Sequence, residues 1–234
     1  MKIAGFYAIF VSVNHINVLI IEMTYTEFKN QIKDYPIFST SQLSALGQGD
    51  SPTLRNQISD WTEKGLLVKL RNNLYVLNEH DRKWSPSRFF LATQIYAPSY
   101  VSGESAMGFY DLIPERVADI TCVSTKKTAA FSNALGTFVY QHLKADCFAG
   151  FSSRRDDSGL PFLIAAPEKA LIDHLYLNMK KFADASPDIF EGSLRLQNLE
   201  QLRPDQLTRW ARQCRNKKLK QIVKDLCSFI RESR

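Results

Sequence analysis

Hydrophobic residues recur at helical spacing from Thr24 onward. Over Thr24–Lys33, Tyr25, Phe28 and Ile32 share one face and predict a first amphipathic helix. Tyr35-Pro36-Ile37-Phe38 ends it, because the residue before a proline disfavours helix. Ser39 then caps a second predicted helix, Thr40–Leu46, with Leu43 and Leu46 inward. Gly47-Gln48-Gly49-Asp50 is a turn. Ser51 can N-cap a third helix, Pro52 suits its first position, and Leu54, Ile58 and Trp61 fall at i, i+4 and i+7 on one buried face. Gly65 ends this helix as a left-handed C-cap would.

The periodicity then changes. Leu66, Val68 and Leu70 alternate with Leu67, Lys69 and Arg71, and Leu74–Leu77 returns through Asn72-Asn73, residues that tolerate positive φ. Helix, helix, turn, helix and a basic-tipped hairpin make a winged helix-turn-helix, spanning residues 23–84. The exposed face of the third helix offers Thr53, Arg55, Asn56 and Gln57 to base edges or phosphates, and Ser51 to phosphate. Lys69, Arg71 and Asn72 would sit on the wing. The same elements also build protein-binding modules, which is the competing reading of this region.

Asn78–Ser87 is polar, contains Pro86 and reads as a linker. Beyond it, Ser87 caps a predicted helix Arg88–Tyr96 with Phe89, Leu91, Ala92 and Ile95 inward, and Ser102–Tyr110 predicts another. Ile120–Ser124 and Gly136–His142 have strand alternation, joined by the polar connection Thr125–Thr128. Phe148–Phe151 and Leu160–Ala165 are short extended runs flanking a charged loop, Ser152–Gly159. Pro167 opens a helix to about Lys181, and Gly192–Ser233 is helical with a break at Arg203-Pro204. Residues 85–234 thus form a mixed α/β domain with a helical C-terminus, and the fold class is α+β.

Charge modifies this picture. The chain has 30 Lys/Arg against 24 Asp/Glu, but Glu200–Arg234 alone holds ten against four, while Met23–Trp84 is nearly neutral with eight against seven. The basic excess therefore belongs to the tail. Arg209, Arg212, Arg215, Lys217, Lys218, Lys220 and Lys224 there form either a solvated helix face or a second electrostatic surface for DNA backbone or an acidic partner. Residues 1–22 are apolar but interrupted by Ser12, Asn14, His15 and Asn17, and no small-x-small cleavage site follows. They read as an upstream extension or a short added strand, with no membrane span. Cys122, Cys147, Cys214 and Cys227 lack metal-ligand spacing and read as isolated thiols in a reducing cytoplasm, with no structural zinc.

No catalytic arrangement stands out. The histidines at 15, 80, 142 and 174 lack a nucleophile motif. Pro167-Glu168-Lys169 lacks the preceding acidic residue of a metal-dependent nuclease and is ordinary helix-start chemistry. Neither GxGxxG nor GxxxxGK[ST] is present, so no nucleotide cofactor is expected.

Three stretches, SYVSGESAMGFYDLIPE (Ser99–Glu115), ADITCVSTKKTAAFSNALGTFVYQHL (Ala118–Leu143) and LIAAPEKALIDHLYL (Leu163–Leu177), lie in this order behind the KGLLVKLRNNLYVL hairpin. Together they resemble the AbiEi-type antitoxins of bacterial type IV toxin–antitoxin systems, over about residues 24–185. Asn72-Asn73 stands where those proteins usually have a basic residue and a glycine, which leaves the wing to Lys69 and Arg71. The resemblance implies a cytoplasmic transcriptional repressor with an N-terminal winged helix-turn-helix and a C-terminal antitoxin domain. It implies cooperative binding to operator repeats of its own operon, with a possible homodimer on DNA. It also implies opposition to a nucleotidyltransferase-like toxin, either without a stable complex or, as in some members, through contact or modification. A protein-interaction module, or a plain transcriptional regulator with no toxin partner, remains the alternative.

Overall fold

The computed structural model describes residues 10–13, 16–19, 23–43, 52–115, 118–182 and 189–232. The protein is of mixed α and β structure and divides into two compact units, Met1–Ser85 and Pro86–Arg234. In the segment read as an extension or added strand, β1 (Phe10–Val13) and β2 (Ile16–Leu19) pair antiparallel, with Phe10 opposite Leu19.

In the first unit, α1 (Tyr25–Ile32) starts at a reciprocal cap. Thr24 Oγ1 accepts from the Glu27 amide at 3.3 Å, and the Thr24 amide donates to Glu27 Oε2 at 2.9 Å. Ser39 and Gln42 repeat the arrangement at 3.2 and 2.8 Å where α2 (Thr40–Leu43) begins. The second helix is described only to Leu43, so Leu46 and the Gly47–Asp50 turn lie outside the described residues. The third helix, α3, covers Pro52–Glu63 and is followed by the hairpin of β4 (Leu67–Arg71) and β5 (Leu74–Leu77).

Two features differ from the sequence expectation. Phe38–Ser39 forms a short strand, β3, which pairs with β5 to give a three-stranded sheet ordered β3-β5-β4. In β4 the simple alternation fails: Leu67 and Leu70 are both buried, because the register shifts between Lys69 and Arg71. A one-residue irregularity turns the later side chains over to the other face. Phe28, Ile32, Phe38, Leu43, Leu54, Ile58, Trp61, Leu67 and Leu77 form the core. The Trp61 ring lies 4.7 Å from Phe28 and 5.6 Å from Tyr25.

The second unit is built on a six-stranded sheet ordered β10-β11-β6-β7-β9-β8. Its strands are β6 (Ser99–Val101), β7 (Ile120–Ser124), β8 (Ala129–Asn133), β9 (Gly136–His142), β10 (Phe151–Arg155) and β11 (Pro161–Ala165). The β11–β6 and β7–β9 pairs are parallel and the others antiparallel. Pairing of Tyr100 with Val123 and of Val123 with Gln141 sets these three on one face. Val101, Cys122 and Tyr140 occupy the other. Helix α4 (Arg88–Ile95) lies on the Tyr140 face, where the Tyr140 hydroxyl donates to the Ala92 carbonyl at 2.7 Å. Helix α6 (Pro167–Leu177) lies on the Tyr100 face, beside α5 (Gly103–Phe109). The tail forms α7 (Pro204–Gln213) and α8 (Lys217–Glu232), which pack on each other and on α6.

Here too the structure corrects the sequence reading. The hydrophobic pattern predicts neither β6 nor β8, and β10 runs through Ser152–Arg155, expected as loop. In α4 it is Phe90, at 5% exposed, that enters the core in place of the half-buried Phe89. Cys147 and Cys214, read as isolated thiols, are brought together as a disulfide pair with Cα atoms 4.7 Å apart. Cys122 and Cys227 are free and buried. Among the described residues no helix is long and apolar enough to cross a membrane.

Candidate nucleic-acid interface

Helix α3 buries Leu54, Ile58 and Trp61 and turns its polar residues outward. Arg55 and Asn56 are exposed, and Thr53 and Gln57 are half-buried. The Gln57 amide is committed within the unit, donating through Nε2 to the Met23 carbonyl at 2.8 Å. Ser51 lies outside the described residues. Gly65, at φ +70°, closes the helix, and a Cβ there would meet nothing within 4 Å. The glycine therefore serves the left-handed backbone and not a close approach.

Lys69, Arg71 and Asn72 are exposed along β4 and its turn. The Arg71 guanidinium donates through Nη1 to the Asn72 carbonyl at 3.0 Å, folding back over the tip. Asn73 takes the left-handed conformation, φ 62°, that reverses the chain. The exposed surface of α3 also carries Asp60 and Glu63, which offset Arg55 and Lys64. Its electrostatics are close to neutral, so geometry and hydrogen-bonding groups set what it can recognise.

The frame behind this surface is held by Asp81. Its carboxylate accepts from Lys29 Nζ at 2.9 Å and from the Tyr25 hydroxyl at 2.7 Å, tying α1 to the segment after β5. The hydrogen bond from Lys29, followed by that from Tyr25, holds the Asp81 carboxyl below its usual range. Burial and the nearby Asp81 charge push the Tyr25 phenol up. Trp84 closes the unit through an indole N–H donated to the Asp34 carbonyl at 2.9 Å.

In the second unit the structure assembles a polar cluster that the sequence pattern does not reveal. Lys169 and Asp173 are 1% and 0% exposed, and the Lys169 ammonium donates to the Asp173 carboxylate. Asp173 Oδ2 also accepts from Ser102 Oγ at 2.7 Å and from the Tyr100 hydroxyl at 2.9 Å. Lys169 Nζ donates to the Tyr100 oxygen at 3.0 Å. Burial pushes the Asp173 carboxyl up and the Lys169 ammonium down, and the mutual attraction opposes both shifts. Next to them, the Glu168 carboxylate, 2% exposed, accepts from Arg203 Nε at 3.0 Å. The available signal was opposite charges at i and i+4 within an otherwise apolar helix, PEKALIDHLYL.

The basic tail resolves into two groups. Arg203 pairs with Glu168, Arg209 lies over the Trp210 ring at 5.1 Å, and Arg215 stands 3.7 Å from Asp146. Lys217, Lys220, Lys224 and Arg231 are exposed along one line of α8, opposite the buried Leu219, Ile222, Val223, Leu226 and Ile230. Arg212 and Lys218 are exposed as well.

No protein-family model matches the chain, and no curated protein matches it.

Proposed function

We propose that the protein is a DNA-binding antitoxin of the type IV class, with a winged helix-turn-helix as its first unit and an antitoxin domain as its second. In this reading it represses its own operon and opposes a nucleotidyltransferase-like toxin. One observation carries it. A three-helix unit on a three-stranded sheet presents α3, with Arg55 and Asn56 outward, directly ahead of a hairpin exposing Lys69, Arg71 and Asn72. A helix of this size fits the major groove, and asparagine and arginine match the hydrogen-bonding edges of adenine and guanine. Ser51 and Thr53 would hold phosphate, and two copies would bind paired operator repeats. Motif likeness in the second unit supports the antitoxin part.

The test is titration of the full chain against the DNA upstream of its own gene and against a scrambled duplex of equal length. A specific repressor binds the upstream DNA at least about a thousandfold tighter at physiological salt. Equal, weak binding to both duplexes would overturn the reading. The antitoxin part predicts that co-expression restores growth of cells expressing an adjacent nucleotidyltransferase-like gene. Restored growth without detectable complex formation separates it from a toxin-binding module.

A further inference from the structure

A cavity of about 220 Å³ opens in the second unit between the start of α5, the β7–β9 part of the sheet and the second half of α6. Several polar groups on its wall are already used by the protein. Ser102 Oγ donates to Asp173, Thr121 Oγ1 donates to the Ser102 carbonyl at 2.7 Å, and the Asn178 amide donates to the His174 carbonyl at 2.9 Å. The Glu104 carboxylate, the His174 ring and the Gln141 amide, by contrast, make no side-chain hydrogen bond among the described residues. His174 is held edge-on to Phe182, with ring centroids 5.9 Å apart, and its side chain is 12% exposed.

His174 Nδ1 and Glu104 Oε1 are 3.9 Å apart. That is too far for a bond between them, and it is the separation across which one N–H-rich group can bond to both at ordinary distances. Burial lowers the basicity of His174, with the Glu104 charge opposing and the Lys181 charge assisting, so the ring keeps an acceptor nitrogen at neutral pH. Among the described residues neither Lys nor Arg lines the cavity, and Glu104 is the sole carboxylate on its wall. Val123 and Leu177 supply an apolar side.

We propose that this cavity binds a small aliphatic cation by its primary ammonium group, which donates to Glu104 Oε1 and His174 Nδ1 while the methylene stem lies against Leu177 and Val123. The carboxylate repels anions, and a neutral polyol offers it no opposite charge. The buried Lys169–Asp173 pair, through Ser102, fixes the wall from behind. The site involves the second unit alone and stands or falls independently of DNA binding.

The experiment is titration of the full chain, labelled with nitrogen-15 in histidine, followed at the His174 ring resonances. These are assigned by their loss in His174→Asn. The probes are 1,4-diaminobutane, butane-1,4-diol and succinate, with sodium chloride at matched ionic strength. Diaminobutane is expected to shift His174 saturably with a Kd of about 1 mM or tighter, and the diol, succinate and salt to leave it unmoved. Glu104→Gln, at a 52% exposed side chain, should weaken the amine at least about tenfold. Absence of a saturable shift with diaminobutane, an equal shift with the diol, or unchanged affinity in Glu104→Gln overturns the proposal. The comparison of amine with diol needs no variant, so it holds whatever the fate of the mutant fold.

Discussion

Lys169 and Asp173 face one another one turn apart on α6, almost wholly excluded from water, and the pair is completed by hydroxyls from Tyr100 and Ser102. An ion pair so placed is a poor source of net stability, because desolvating both charges offsets most of their attraction. Removing one partner is costly. Lys169→Met should destabilise the second unit by about 3–5 kcal/mol, and Lys169→Met combined with Asp173→Leu should recover most of the loss. Urea unfolding followed by circular dichroism decides this. Equal losses in the single and double variants would mean that packing, not uncompensated charge, governs the site.

Asp81 gives a pH prediction for the first unit. Its folded pKa lies below the ordinary carboxylate value because Lys29 and Tyr25 donate to the ionised form. A depressed carboxyl contributes stability above its unfolded pKa, near 4, and that contribution is lost as pH falls through the folded value. Acid unfolding of the first unit should therefore steepen below about pH 4. Asp81→Asn should cost about 1 kcal/mol at pH 7 and flatten that dependence. An unchanged acid limb in Asp81→Asn would contradict the assignment.

The outward and inward faces of α3 should respond differently to substitution. Arg55→Ala and Asn56→Ala are expected to weaken upstream-DNA binding about five- to a hundredfold, with Asn56→Ala leaving the unfolding midpoint in place. Trp61→Ala removes a ring packed between Phe28 and Tyr25 and should cost about 3–5 kcal/mol. Gln57→Ala should fall between them: it loses the bond to the Met23 carbonyl, about 1 kcal/mol, whatever it contributes on DNA. Paired gel-shift and thermal-unfolding measurements separate the three behaviours.

The exposed line of cations on α8 carries a salt prediction. Replacing Lys217, Lys220 and Lys224 by Gln should lower the slope of log K against log salt by about 2.7, close to 0.9 for each phosphate that is no longer neutralised. Sequence preference should be unaffected, because binding to phosphate carries no base information. A slope equal to wild type would define this line as a solvated helix face.

Elements with strong local signals were legible from the chain alone. Ser39 starts α2, Gly65 closes α3 and Asn73 turns the hairpin. Each rests on interactions within a few residues. The strands β3, β6 and β8 carry two to five residues and too little periodicity to be read locally. They exist because a partner strand completes their hydrogen bonds, and that partner can lie far along the chain. The register shift in β4 escaped for the same reason, since it is defined only against β5. Of the candidate DNA-facing residues, exposure of Arg55, Asn56, Lys69, Arg71 and Asn72 follows from which side chains the core needs. The tie between Gln57 and Met23 does not.

The sequence by itself determined the mixed α and β composition, the starts of several helices, and the concentration of positive charge in the tail. These are consequences of local backbone preference, capping and hydrophobic period. The tertiary structure alone decided that Lys169 and Asp173 are buried with Tyr100 and Ser102, and that Cys147 meets Cys214. It also decided that Glu104 and His174 stand across a cavity from each other. Such relations join residues separated by up to 73 positions. Chain order leaves the distance between such residues open until sheet order and helix packing close it.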